Sequence, residues 1–408
     1  MKLSNMGRVV IIDDKFEDTK PLMEVLGKEN IPYLYYNGNL EELPENPFTG
    51  IRFVFLDIEL EGMSGQNKKT KASGSVGRLG KIISKDNGPY VIIAWTKHSE
   101  ILPLIEENCE KAKIPPVFVI DIEKSNCRTE DGKFDLAIIS DKLKEQLEKV
   151  GAFQLYVDWE NMLNHAGKEF ISDITQYFFP PDDKWSKKTE FLFYKLYKTY
   201  VEKEELSDEN DKLRCAFHLI NRGFLDVLEN KTIEYENKNF RLTGGKLEPE
   251  IIAQINRSLF VSDTSVTPAV NPGNVYEEEM NDMLNLLKKD CFKKMPEDIH
   301  LQLCSVIITP QCDIAQKKLL MHRVVYGVFY EKSEKIKIKS AAHLFSVGPI
   351  WHKDKIQYIM LNFQTISSIK PDEINNANRI FSLKNDLISD IQTKVGNHVN
   401  RLGNFMLK

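Results

Sequence analysis

The sequence is short of the features that would settle a function at sight. Six cysteines, at positions 109, 127, 215, 291, 304 and 312, are scattered over 408 residues with no close pair among them. That spacing provides neither a disulfide framework nor a zinc motif, and predicts reduced thiols in a cytoplasmic protein. Long apolar runs are missing too. The opening MKLSNMGRVVIIDD holds only the apolar run Val9–Ile12 before two aspartates, too little for a signal-peptide core or a membrane span, and no later window approaches one. Neither sign of charge dominates: Lys and Arg total 55 against 60 Asp and Glu, a net charge of -5, which does nothing to favour nucleic acid. There is no nucleotide-binding glycine loop, no serine-hydrolase elbow, no internal repeat and no low-complexity tract.

What is present is an alternation. Val9–Ile12, Tyr33–Tyr36, Ile51–Leu56, Tyr90–Trp95 and Pro116–Ile120 are short, nearly all-apolar runs, the pattern of strands covered on both faces. Between the first two, Leu22, Val25 and Leu26 keep helical spacing. This order predicts an α/β domain over residues 1–150, with a five-stranded parallel sheet wrapped by helices. The basic, Gly- and Ser-rich stretch 66–88 reads as a mobile loop around a short helix near Leu79–Ile83. Residues 151–235 then read as a helical connector, with Trp159, Leu163, Phe170, Ile174 and Phe178 at helical steps. Residues 236–408 read as a mixed α/β domain. Its runs Ile299–Thr309, His322–Tyr330, Lys335–Ile338 and Ile356–Phe363 predict a small antiparallel barrel or curled sheet, and a helix over about Leu383–Leu402 closes the chain. The turn NPGNVY at 271–276 reads as structural.

Three carboxylates stand at predicted strand ends: Asp13 and Asp14 after the first strand, and Asp57 after the third. The carboxyl ends of parallel strands form the ligand crevice of an open α/β sheet, so these side chains can converge. Three carboxylates at close range repel unless a hard cation such as Mg²⁺ lies among them. Thr96 and Lys97 end the next strand, and a hydroxyl and an ammonium facing such a cluster suit a phosphoryl group. Asp57 would then be the nucleophile, giving an acyl phosphate.

On these residues the stretch from about 7 to 125 resembles the receiver domain of two-component response regulators. The acidic pair, the later aspartate, the ELEGMSG loop ending in methionine, one residue and Gly65, and the hydroxyl of Thr96 carry the resemblance. It implies a flavodoxin-like fold for this α/β domain, Asp13, Asp14 and Asp57 as Mg²⁺ ligands, Asp57 as phosphoacceptor, Thr96 as switch hydroxyl and a histidine kinase as partner. The family's lysine after the fifth strand falls on Asp121 in VFVIDIEKS, and no proline follows. Lys124 or Lys97 are the candidates to supply that charge, although the spacing argues against a simple swap. The domain order, with PGNVY and ITPQCDIAQKK in the C-terminal part, further resembles the receiver-bearing regulatory components of Detocs anti-phage systems. That implies a partner kinase, and a second receiver-bearing effector downstream.

A thiol or metal site at Cys312, Asp313 and His322 is a weaker candidate, because a small apolar thiol at a strand-to-turn junction accounts for it as well. The expected function is therefore phosphosignal reception by a regulatory protein without turnover. Its rivals are a pseudo-receiver acting as a binding module, and a C-terminal hydrolase or nuclease centred on Cys312 and Asp313.

Overall fold

The computed structural model describes residues 9–60, 65–96, 99–201, 207–236, 244–264, 270–296, 299–310, 313–314, 320–374 and 378–400. The chain divides into two compact units, Met1–Tyr194 with Ala216–Leu242, and Lys195–Cys215 with Thr243–Lys408.

In the first unit, strands β1 (Val9–Ile12), β2 (Tyr33–Tyr36), β3 (Phe53–Leu56), β4 (Val91–Trp95) and β5 (Phe118–Ile122) form a parallel sheet in the order β2-β1-β3-β4-β5. This is the flavodoxin-like order. Residues alternate across each strand, so one sequence run feeds two cores. Val10, Ile12, Val54, Leu56, Ile92 and Ala94 face helices α2 (Lys68–Ile82) and α3 (Leu102–Lys111). Val9, Ile11, Phe55, Ile93 and Trp95 face α1 (Phe16–Lys28) and α4 (Leu136–Lys149). No helix joins β2 to β3; Leu43, Phe48 and Ile51 from that connection complete the first core instead.

Two sequence expectations change here. Most of the stretch read as a mobile loop around a short helix near Leu79–Ile83 is the helix α2, of fifteen residues. Its glycines and serines weaken helix propensity, but Ala72, Val76, Leu79 and Ile82 form a buried stripe, and the Asn67 side chain caps the start by accepting from the Thr70 N–H at 2.9 Å. Tertiary burial outweighs propensity. The fifth strand runs to Ile122, two residues beyond the apolar run that signalled it, because Asp121 pairs within the ladder opposite Ala94.

Helices α5 (Gly151–Thr175), α6 (Trp185–Val201) and α7 (Glu209–Glu234) follow. Arg52, just before β3, anchors α5: its Nε and Nη2 donate to the Glu160 carboxylate at 2.5–3.0 Å.

In the second unit, seven strands form a curled antiparallel sheet in the order β12-β13-β10-β9-β7-β14-β6. They are β6 (Val261–Ser262), β7 (Asn274–Glu277), β9 (Gln302–Ile307), β10 (His322–Tyr330), β12 (Leu344–His352), β13 (Lys355–Ile369) and β14 (Arg379–Leu383). β8 (Phe292–Lys294) and β11 (Lys337–Ile338) pair separately. Helices α8 (Pro249–Phe260), α9 (Asn281–Cys291) and α10 (Asn385–Val399) complete the unit. On one face of the sheet Val325, Phe329, Ile359 and Leu361 pack with Ile388 and Ile391 of α10; on the other Val324, Val328 and Met360 pack with Leu287 of α9.

The NPGNVY stretch is more than a turn. Gly273 has φ +86°, its N–H donates to the Ile307 carbonyl at 2.8 Å, and its own carbonyl accepts from the Leu383 N–H at 2.8 Å. A Cβ there would collide with the Leu383 backbone oxygen. Gly273→Ala is expected to cost at least about 2 kcal/mol through the left-handed conformation and the clash together, read as a lower urea midpoint. Among the described residues, no helix is long and apolar enough to cross a membrane.

Candidate phosphoryl site

Strand register assembles the site. Ile12 is level with Leu56, so the next residues, Asp13 and Asp57, emerge side by side at the carboxyl edge of the sheet. Leu56 is in turn level with Ala94, which brings Thr96 just beyond the same edge, and Trp95 with Ile122, which brings Lys124 from the far side. The strand order reverses between β1 and β3, the place where open α/β sheets form ligand crevices.

The side chains do converge. Lys124 Nζ donates to Asp13 Oδ2 at 2.6 Å and to Asp57 Oδ2 at 2.7 Å. Asp13 is 0%, Asp57 5% and Lys124 5% exposed, so these are buried ion pairs. The other carboxylate oxygens are held by backbone: the Lys15 N–H donates to Asp13 Oδ1 at 2.9 Å, and the Glu59 N–H to Asp57 Oδ1 at 3.1 Å. The Tyr35 hydroxyl donates to the Asp13 carbonyl at 2.7 Å and steadies the turn after β1. Thr96 is buried beside them at 2% exposure.

Asp14 completes the cluster differently. Ligand oxygens of Asp13, Asp14 and Asp57 lie within 4.8 Å of one another, yet Asp14 Oδ1 is buried without a hydrogen-bond partner. A buried carboxylate oxygen left without a donor is costly. Carboxylate oxygens from three residues this close are a donor set that a hard divalent cation such as Mg²⁺ could take.

Electrostatics record the crowding. Burial, opposed by the Lys124 ammonium but reinforced by the Asp57 charge, raises the Asp13 carboxyl to about 6. Burial and then Asp57 push Asp14 upward as well. Burial works against the Lys124 ammonium, but the attraction of Asp57 and Asp13 outweighs it and holds its pKa above the ordinary lysine value. A carboxyl with a raised folded pKa binds more protons in the folded state, so stability falls as pH rises through the window between the unfolded and folded values. For Asp13 in metal-free protein that window runs from the ordinary 3.8 to about 6. The expected loss is about 3 kcal/mol, measured as urea midpoints at a series of pH values between these limits.

The helix α2 contributes basic groups at the rim. Lys71 Nζ pairs with Glu59 at 2.7 Å, next to the Asp57 loop. Arg78 donates to the carbonyls of Gly38 and Gly74, within electrostatic reach of Asp14. The sequence placed these two in the mobile loop; the helical spacing of Ala72, Val76, Leu79 and Ile82 beside them was the available signal.

Of the remaining sequence candidates, Lys97 and the methionine of ELEGMSG, Met63, lie outside the described residues, as does Cys312. Gly65 is described, with φ +78°. Asp121 lies inside β5, three residues before the lysine that enters the site. Asp313 donates its backbone N–H to the Pro310 carbonyl at 3.1 Å. His322 opens β10, and burial pulls its imidazole below the usual histidine range. The Cys304 thiol is buried in the sheet core and pushed upward, away from a reactive thiolate. The chain matches no protein-family model and no curated protein.

Proposed function

We propose that this protein receives a phosphosignal at Asp57. The observation that carries this reading is Lys124 Nζ bridging Asp13 and Asp57 at the carboxyl edge of a parallel sheet, beside the unsatisfied Asp14. Asp57 Oδ attacks the phosphorus of a phosphohistidine on a partner kinase. The new O–P bond forms as the P–N bond breaks, and the electron pair returns to the imidazole, which takes up a proton. Lys124 and the hydroxyl of Thr96 face the incoming phosphoryl oxygens, and Lys124 turns from the carboxylates toward them. Mg²⁺, held by Asp13, Asp14 and Asp57, supplies charge neutralisation at the phosphoryl group when bound. Movement of Lys124 and Thr96 toward the phosphoryl group biases the domain between two states, and the remainder of the chain reads that bias or holds a partner. The kinase, and a second receiver-bearing effector, are the partners this reading calls for.

The test is incubation with Mg²⁺ and acetyl phosphate, followed by intact mass and peptide mapping. One added phosphoryl group on the peptide bearing Asp57, lost on chelation, is expected. No addition from acetyl phosphate or from a cognate histidine kinase overturns the reading in favour of a binding module that uses the same ion pairs structurally.

Cation binding has a readout of its own. At pH 7 about 10 mM Mg²⁺ should raise the thermal midpoint, since a ligand that binds only the folded state at tenfold its dissociation constant adds about 1.4 kcal/mol. At pH 4.5 protons compete for Asp13, whose carboxyl is raised to about 6, and the shift should largely vanish.

A further inference from the structure

A cleft of about 650 Å³ opens on the α1 and α4 side of the parallel sheet. Its floor is apolar: Val9, Phe53, Phe55 and Ile93 from the strands, with Leu26 of α1 and Leu143 of α4. Its wall is α5, and the residues turned into the cleft there include Gln154, Asn161, Asn164, His165 and Lys168. A helix laid over an apolar floor ordinarily presents an apolar stripe. This one lines the cleft with a single apolar residue, Val157, among amides, an imidazole and an ammonium at steps of three and four, and the space beneath is left unfilled.

The wall meets the floor at one end, where Phe153 of α5 packs edge-on against Phe53 at 5.5 Å between ring centroids, and the cleft stays open beyond it. Arg52, at the rim, grips Glu160 of α5 while its Nη1 donates to the carbonyls of Ile51, Asn87 and Pro89 at 2.9–3.3 Å. A second ammonium, that of Lys144 of α4, also lines the cleft. Among the described residues neither Lys144 nor Lys168 makes an ion pair or hydrogen bond, and Glu29 is the one carboxylate in the lining. The cleft thus joins an apolar base to a rim with surplus positive charge, in the size range of small-molecule sites.

We propose that this cleft binds a small amphipathic carboxylate. The apolar body lies on Val9, Phe53, Phe55 and Leu143, and the carboxylate accepts from Lys144 and Lys168, with Asn164 as a neutral donor on the same wall. The floor strands β3 and β4 run on into Asp57 and Thr96, so occupancy is an input to this unit separate from phosphoryl transfer.

The probe is decanoate, titrated into the full-length protein by calorimetry, with decanol as the uncharged comparison. Saturable binding at one site is expected, at least tenfold tighter for decanoate than for decanol. Lys144→Glu with Lys168→Glu should weaken decanoate at least tenfold and leave decanol unchanged. Asn164→Trp, which fills the cleft from a half-buried helix position, should weaken both, while Asp57→Asn binds as wild type. No saturable binding of decanoate, equal affinity for the two probes, or affinity unmoved by both cleft variants overturns the proposal; circular dichroism and melting of each variant separate loss of the site from loss of fold.

Discussion

Asp57→Asn should abolish phosphoryl uptake completely while leaving the protein folded. The substituted side chain is nearly isosteric, and its carbonyl oxygen can still accept from the Glu59 N–H, which holds Asp57 Oδ1 at 3.1 Å. What disappears is the anionic oxygen that would attack phosphorus, and an amide does not replace it. Removing this charge also relieves Asp13, whose carboxyl the Asp57 charge helps to raise. The relief offsets the loss of one ion pair to Lys124, so the thermal midpoint should move by only a few degrees, about 1 kcal/mol or less. Retained uptake on the same peptide in the Asn variant would place the modification on another residue, and a grossly unfolded variant would make Asp57 a structural residue first.

Lys124→Met should have the largest effect on stability. The substitution leaves Asp13 and Asp57 buried together with no cation between them. Breaking a buried pair by removing one partner costs about 3–5 kcal/mol, since the orphaned charges keep their desolvation penalty. The cost is pH-dependent with a definite sign. Without Lys124, which opposes the rise, the folded-state pKa of Asp13 climbs further above its ordinary value, and stability falls more steeply as pH rises. Urea midpoints of wild type and variant should therefore lie far apart at pH 8 and approach each other toward pH 5. Mg²⁺ should recover part of the loss at pH 8, because it supplies positive charge to the same oxygens. Equal midpoints at pH 8 would show that the ion pairs contribute nothing net, and would remove the main electrostatic support for the site.

The strand-end aspartates were legible because their signal is local. An apolar run followed by an acidic residue is visible in a few letters, and Val9–Ile12 and Phe53–Leu56 ended where the letters did. Lys124 was ambiguous for a related reason. Asp121 interrupts the apolar run of β5, so the strand seemed to end at Ile120 and the lysine looked displaced; the ladder carries Asp121 through to Ile122 because Ala94 pairs with it. A polar residue costs little in a strand where it is half-buried, and only the neighbouring strand reveals that. The helix α2 was legible only as a short helix near Leu79–Ile83, because its glycines, serines and lysines dominate the composition, while four buried residues at helical spacing decide the conformation. In the second unit, β7, β12 and β14 were invisible as strands: Asn274–Glu277 reads as turn chemistry until Gly273 is seen bonded to both Ile307 and Leu383.

By itself, the amino-acid sequence determined the flavodoxin-like order of elements, the mixed domain with its curled antiparallel sheet, and the three aspartates worth watching, because periodicity and strand-end polarity act over a few residues. Only the tertiary structure decided which cation reaches those aspartates, that Asp14 keeps an unsatisfied oxygen beside them, and that a largely polar helix wall stands beside an apolar floor on the same sheet. Each of these depends on register and burial between segments far apart in the chain. Their energies come from desolvation and Coulomb attraction, which exist only once those segments have met.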